Sequence, residues 1–551
     1  MRGLLLLLCV ILAIGCGPQR ENVDLVLRNA AIYTMNPAQP EAQALAVSAG
    51  RIVAIGSNEA IAQGYAAKRD VDLLGQMVLP GFHDAHVHPV HGGVELSQCD
   101  LNDLATVAEI TAKVGACNAN SLGSGWLLGG GWNLGLFPRA NPNKALLDAI
   151  SMQRPIFLGG ADGHSSWANS AALALAGIER ETPNPPNGII ERDANGDASG
   201  TLRESAQDLV RAVIPPLSAQ ARRDGLLRGV KIANGFGITS FIEADAGAEE
   251  LAAYRALMGS GELTARVVAS IGATNADADA LMRPEDRGRD ARLRADAAKI
   301  FVDGVLEGET AALLAPYLDN PGFSGELKMS PEALSAQVVE LDRRGIQVHM
   351  HAIGDRAVRV ALDAVEAARK ANGPSDNRHH IAHLQLIDAL DRPRFAQLAV
   401  TANFQALWAF PDQYITDVNL PQVGQARVDQ VYPIGSILKA GGRVAGGSDW
   451  SVSSMNPLLA IETALTRSDP TGRIPGVLNE AERVSLADML AAYTTNGAYL
   501  MHQEALTGSL EVGKAADLVV LERNLFEIPP QEIGEVAVTR TLLDGETVFE
   551  R

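Results

Sequence analysis

Phe82-His83-Asp84-Ala85-His86-Val87-His88 decides how the rest of this chain is read. Val78-Leu79-Pro80-Gly81 leads into it, so Val78 to His83 reads as a short apolar strand running into histidines. Side chains two apart on a strand share a face, which points His86 and His88 the same way at the strand's C-terminal end. Two imidazoles so placed suit zinc or a similar ion. A lone His-x-His also occurs without metal, and the reading therefore rests on what the other strands deliver.

Downstream, strands alternate with helical stretches such as Arg356 to Lys370, the pattern of a parallel sheet with crossovers. Further strand candidates begin at Pro155, Ile238, Ala265, Lys299, Ile346, His380, Val400 and Arg443. With Val78 to His83 they make about nine, and a closed (β/α)8 barrel takes eight. Residues 92–215 are far longer than one crossover needs. They read as an insertion after the first barrel strand, and the surplus strand Ile156 to Gly159 is assigned to it. The chemistry then falls at strand ends: His349 and His351 in Gln347-Val-His-Met-His351, His383 closing His380-Ile-Ala-His383, Asp449 closing Gly446-Gly-Ser-Asp449, and Lys299 opening Lys299-Ile-Phe-Val302. Loops at the C-terminal end of barrel strands build the active site, so these scattered positions are expected to converge.

Both ends of the chain read as β. Residues 22–80 hold short β-branched runs, and residues 505–551 hold Asp517-Leu-Val-Val-Leu521 and a hairpin signal at Asp544-Gly545. Together they predict one small β-sandwich domain built from both termini, with the barrel over 81–504. The 551 residues carry 46 basic and 65 acidic side chains, a net charge of −19, which argues against nucleic acid as a partner. Arg2 followed by the apolar run Leu4 to Ile14 reads as a targeting segment too short to span a bilayer. Ala13-Ile14-Gly15-Cys16 is similar to a bacterial lipobox, so residues 1–16 are expected to be a lipoprotein signal ending at a lipidated Cys16. That predicts a lipid-anchored protein of the cell envelope, on the periplasmic face of the outer membrane where there are two membranes. Of four cysteines, Cys9 and Cys16 belong to this segment; Cys99 and Cys117 remain as a candidate disulfide, with two separate thiols as the alternative.

The sequence resembles the amidohydrolase superfamily, in particular the amidohydrolase-3 branch of YtcJ-like proteins and N-substituted formamide deformylases. The resemblance is carried, in order, by Leu79-Pro-Gly-Phe-His-Asp-Ala-His-Val-His88, Asp162-Gly-His-Ser165, Asn169-Ser-Ala-Ala172, Lys299-Ile-Phe-Val-Asp-Gly304, His351-Ala-Ile-Gly-Asp-Arg356, Ile381-Ala-His-Leu384, Gly446-Gly-Ser-Asp-Trp450 and Gly513-Lys-Ala-Ala-Asp-Leu518. It implies the same barrel and sandwich. It also implies two divalent ions, zinc being the first choice: one held by His86, His88 and Asp449, the other by His351 and His383. Lys299 would bridge them as a carbamate, an anionic oxygen ligand that four neutral imidazoles cannot replace.

Asp449 is the expected proton carrier, and His164, in the matched Asp-Gly-His-Ser motif, is expected to contact substrate. Trp132 and His91 are further substrate-pocket candidates, with a core role the alternative for Trp132. His349 reads as a residue behind the ligands. Asp303 and Asp355 adjoin glycines and read as turn residues. The expected activity is metal-dependent hydrolysis of an amide or other C–N bond in a small molecule, N-substituted formamides included. Deamination or ester hydrolysis on the same site, and a non-catalytic ligand-binding or regulatory lipoprotein, are the alternatives. The lipid is the only membrane attachment foreseen, and a homodimer is the assembly considered.

Overall fold

A computed structural model describes residues 20–102, 104–120, 125–273, 278–281 and 292–551. The expected lipid site, Cys16, lies outside them. Eight parallel strands form the central sheet in sequence order: β1 (Phe82–Val87), β2 (Ile238–Ala246), β3 (Arg266–Gly272), β4 (Leu293–Phe301), β5 (Gln347–Ala352), β6 (His380–His383), β7 (Thr401–Phe404) and β8 (Arg443–Gly446). Runs such as Arg266-Val-Val-Ala-Ser-Ile-Gly are buried along their whole length, as a sheet covered on both faces requires. The lower interior is filled by small and apolar side chains, with Ala85, Ile242, Val268, Ala297 and Ala445 packed on Leu500 and Met501.

Two strand readings change. Val78 to His83 is not one strand: Met77–Pro80 belongs to the terminal sheet, and β1 starts beyond Gly81. An added Cβ at Gly81 would lie 2.2 Å from the Thr239 hydroxyl, so the crossing between the two layers leaves no room for a side chain. β4 begins at Leu293, not Lys299. Leu-Arg-Ala-Asp-Ala-Ala lacks the β-branched residues that announce a strand, and burial in the barrel overrides that weak propensity. The shift matters, because it moves Lys299 to the C-terminal half of its strand, in register with His349 of β5.

Residues 99–204 form a separate six-stranded sheet, ordered Gly188–Arg192, Ala198–Glu204, Ser165–Ala168, Ile156–Gly160, Leu127–Trp132 and Cys99–Asp100. Ile156–Gly160 lies in this sheet, outside the barrel. Cys99 and Cys117 are bonded as a disulfide, tying its edge strand to the helix Val107–Asn120. The two chain ends meet in a pair of sheets. One holds Glu21–Arg28, Ala44–Ser48, Arg51–Gly56 and Tyr65–Asp72; in the other, Leu518–Leu521 lies between Met77–Pro80 and Val538–Leu543. Leu25, Leu27, Leu45, Val47, Val78, Leu518 and Val520 share the core between them. This layer is clasped to the barrel by Arg266, whose buried guanidinium lies 2.7 Å from Asp517 and also pairs with Asp544. No helix among the described residues is long and apolar enough to cross a membrane.

The helix α1 (Pro89–Glu95) starts directly after His88 and packs on α2 (Ala219–Gly235). Their backbones nearly touch: a Cβ at Gly93 would lie 1.9 Å from the Gly225 carbonyl oxygen. Gly93→Ala is therefore expected to overpack this crossing at a cost of about 1–3 kcal/mol. A thermal melt checks it, and a midpoint equal to that of the parent would show that the helix pair has slack.

Candidate metal centre

The site sits on the seam where β8 returns to β1. Asp84 Oδ1 accepts hydrogen bonds from the amides of His86 and Ser448, each at 3.0 Å. The Asp449 amide donates to the His86 carbonyl at 2.7 Å, and the His88 amide donates to the Trp450 carbonyl at 2.9 Å. Gly447 makes this approach possible, since a Cβ there would lie 2.8 Å from that of His86. Asp449 and His383 both take left-handed backbone conformations, with φ of 54° and 79°. Such strain in non-glycine residues is concentrated where side chains must be aimed.

Aimed in this way, the Asp449 carboxylate becomes the hub. Its Oδ1 lies 3.3 Å from His86 Nε2 and 3.2 Å from His88 Nε2, and its Oδ2 lies 3.7 Å from His383 Nδ1. His86, His383 and Asp449 bring one donor atom each within 4.8 Å of one another. His86 Nε2 and His383 Nδ1 are buried and make no hydrogen bond. The ring of His351 lies 4.5 Å from that of His383, and its Nδ1 is 3.3 Å from the buried Asp303. Burial drives the pKa values of His86, His351 and His383 well below the ordinary value, so these imidazoles are neutral and keep a lone pair for a ligand.

His88 differs. Burial disfavours its cation, but Asp449 on one side and Glu243 on the other raise it to about 9. Burial alone would raise Asp449, but the hydrogen bond and charge of His88, with Lys299 nearby, bring it below its usual value. Lys299 is fully buried in the same chamber, its ammonium 4.8 Å over the Phe301 ring, and burial brings it down to about 8. Neutral imidazoles, a carboxylate and orphaned nitrogens at ion-sized spacing are a donor set that fits zinc or a similar dication.

His164 reaches this chamber from the inserted sheet. Its ring lies 5.1 Å from that of His351, and its Nδ1 is 3.0 Å from Glu204, which also receives Lys328 at 3.1 Å and the Thr310 hydroxyl at 2.8 Å. Burial opposes a charge on His164, but Glu204 outweighs it and the pKa is raised. His91 is exposed on α1. Trp132 does not line the site: it is fully buried among Phe137 and Trp167, and its indole N–H donates to the Leu158 carbonyl at 3.0 Å. An indole whose face and N–H are both satisfied inside a sheet core has nothing left for a ligand. Asp303 does more than hold a turn, accepting the amides of Ala312, Ile353 and Gly354 beside His351. Asp355 accepts the amides of Leu314 and Arg356, as a turn residue does.

Three residues escaped the sequence reading. Glu243 lies 3.6 Å from His88 and is held by the Tyr254 hydroxyl at 2.8 Å. Its signal was its place, one residue beyond the apolar run Ile238 to Ile242. Glu204 belongs to a strand of the insertion that no pattern announced. Trp408 stacks on His383 at 5.8 Å between ring centres.

The chain is 31% identical to Protein LONG AFTER FAR-RED 3 of Arabidopsis thaliana, over 96% of its own length and 91% of the relative. It is 28% identical to an N-substituted formamide deformylase of Arthrobacter pascens, over 96% and 98%. An uncharacterized metal-dependent hydrolase from Pyrococcus horikoshii superposes with a TM-score of 0.71 at 26% identity, covering 92% of this chain and 99% of that one. Residues 69–549 match the amidohydrolase family, a span that takes in the whole barrel, the inserted sheet and, of the terminal β layer, the strands Met77–Pro80, Leu518–Leu521 and Val538–Leu543. The chain therefore belongs to the amidohydrolase family and is a hydrolase of that kind.

Proposed function

We propose that this protein hydrolyses an amide or related C–N bond of a small molecule, with N-substituted formamides the first substrates to try. The observation that carries the reading is the convergence of neutral, unpartnered imidazole nitrogens on the single carboxylate of Asp449. The relation to a formamide deformylase supports the choice of bond.

His86, His88 and Asp449 would hold one divalent ion, and His351 and His383 a second, with zinc the preferred metal. Bound there, a dication would acidify water and polarise the scissile carbonyl. Lys299 would serve both ions as a carbamate: its neutral amine adds to CO2 and loses a proton, leaving an anionic pair of oxygens. Burial favours that neutral amine. Asp449 would take the proton released when water attacks the carbonyl carbon and pass it to the leaving nitrogen as the C–N bond breaks. Its carboxylate is ionised and faces the chamber, as a base must be. His164, held by Glu204, would contact the substrate from the inserted sheet, and His91 would stand at the approach. The proposal includes an envelope address, with lipid on Cys16, on the strength of the N-terminal sequence.

Metal analysis of protein made in medium with bicarbonate and trace metals should find about two ions per chain, and chelation should abolish turnover. About one ion would argue against the Lys299 carbamate; none in a folded, reconstituted sample would overturn the reading. Asp449→Asn should lower kcat by about 10²–10⁴-fold in a protein with unchanged circular dichroism. A rate within threefold of the parent, taken as about 0.6 kcal/mol of barrier, would remove Asp449 from the proton path. His164→Ala should change kcat, KM or substrate preference across a formamide and amide panel, and identical kinetics would place His164 outside the site.

A further inference from the structure

His349 does not reach Asp449, but it is bonded to a residue that does. Its Nε2 lies 2.9 Å from His86 Nδ1, and its own Nδ1 lies 3.1 Å from the Ser270 hydroxyl. The two rings meet edge to face, 4.7 Å apart at 86°. His86, His349 and Ser270 are all fully buried, on β1, β5 and β3.

A neutral imidazole has one N–H and one lone pair, so the proton of each ring determines that of the next. For His86 to offer Nε2 to an ion, its proton must lie on Nδ1 and be donated to His349 Nε2. His349 must then carry its own proton on Nδ1 and donate it to the Ser270 oxygen. The reverse arrangement has His349 donating from Nε2 to His86 Nδ1. It places the His86 proton on Nε2, facing Asp449 Oδ1, and closes that nitrogen to a metal. Ser270 can serve both arrangements, because a hydroxyl donates or accepts. Ligand histidines are commonly oriented by a carboxylate or a carbonyl on their second nitrogen. His351 has a carboxylate near its Nδ1, Asp303 at 3.3 Å, whereas His86 has a neutral imidazole in hydrogen-bond contact instead.

We propose that His349 is a positioning residue for His86: with Ser270 it fixes the ring and the tautomer that leave Nε2 free to bind a divalent ion. The inference rests on the reading of His86 as a metal ligand. Metal-stripped protein, titrated with zinc against a chromophoric chelator, tests it alongside three variants. His349→Leu should weaken zinc binding by about 10–100-fold. His349→Gln, whose carbonyl oxygen can accept the His86 proton, should stay within about threefold of the parent, because the acceptor is kept. Ser270→Ala should weaken binding in the parent and have no effect in the His349→Gln background, where no Nδ1 proton needs an acceptor.

Thermal melts of the metal-free forms separate folding from ligation. If His349→Leu does not fold, the Ser270→Ala comparison in the two backgrounds decides. Parent-like zinc affinity in a folded His349→Leu would overturn the proposal, and so would a Ser270→Ala effect that is absent from the parent or equal in both backgrounds. Loss of affinity in His349→Gln as large as in His349→Leu would reduce His349 to ring packing and overturn it too. Failure of the parent itself to bind zinc would instead overturn the metal reading of the site.

Discussion

At one point in the barrel a single carboxylate oxygen, Asp84 Oδ1, receives amide protons from both the first strand and the loop that leaves the last. The relative placement of His86 and Asp449 depends on that junction. It brings Asp449 under the His86 carbonyl, and from there the carboxylate can face three imidazoles from two other places in the chain. Burial raises the Asp84 carboxyl to about 7, against the pull of the hydrogen bonds it accepts. A group kept in so unfavourable a place is there for geometry, because the amides it accepts are the ones that set where His86 and Asp449 point.

The barrel alone does not complete the chamber. Its own strands supply His86, Lys299, His351 and His383, all neutralised or pushed toward neutrality by burial. The inserted sheet supplies His164 with its partner Glu204, and the His164 ring is thereby brought beside that of His351. The two contributions are held differently. Barrel side chains are fixed by sheet register, with Phe301 opposite His351 and Ala352 opposite His383. The His164 position depends on an independent hydrophobic core around Trp132 and Trp167. Insertions of this kind can change while strand-end ligands stay, which is how one barrel serves many substrates.

Much of this was legible because strand-end chemistry leaves short, dense signatures. Phe82 to His88, His349 to His351 and Gly446 to Asp449 each combine a buried run with a polar tip, and the order of such runs marks a barrel. The alternation of β and α outside Ile156–Gly160 likewise exposed the insertion. What failed did so for physical reasons. β4 was read six residues short because Leu-Arg-Ala-Asp-Ala-Ala owes its extended form to neighbours, not to its own side chains. Glu243 went unseen because a lone acid after an apolar run looks like any strand end; only Tyr254 and His88, brought from elsewhere, give it meaning. Trp132 drew attention by its glycines and proved to belong to a core, which composition cannot distinguish from a pocket wall.

The terminal sheets carry a consequence for how the molecule is made. Met77–Pro80 leads straight into β1 and takes Leu518–Leu521 as one of its two neighbours, while the Gly81 amide, at the joint, donates to the Asp517 carbonyl. The strand that anchors His86 and His88 thus waits for residues made more than 400 positions later. Pairings this distant are late, since a long loop must close before they return any stability. A nascent chain has its first two histidines early and the groups that complete their surroundings last. Until Leu518–Leu521 has been made, the joint that seats the first barrel strand lacks this partner, and His86 and His88 are held by fewer contacts than in the finished fold.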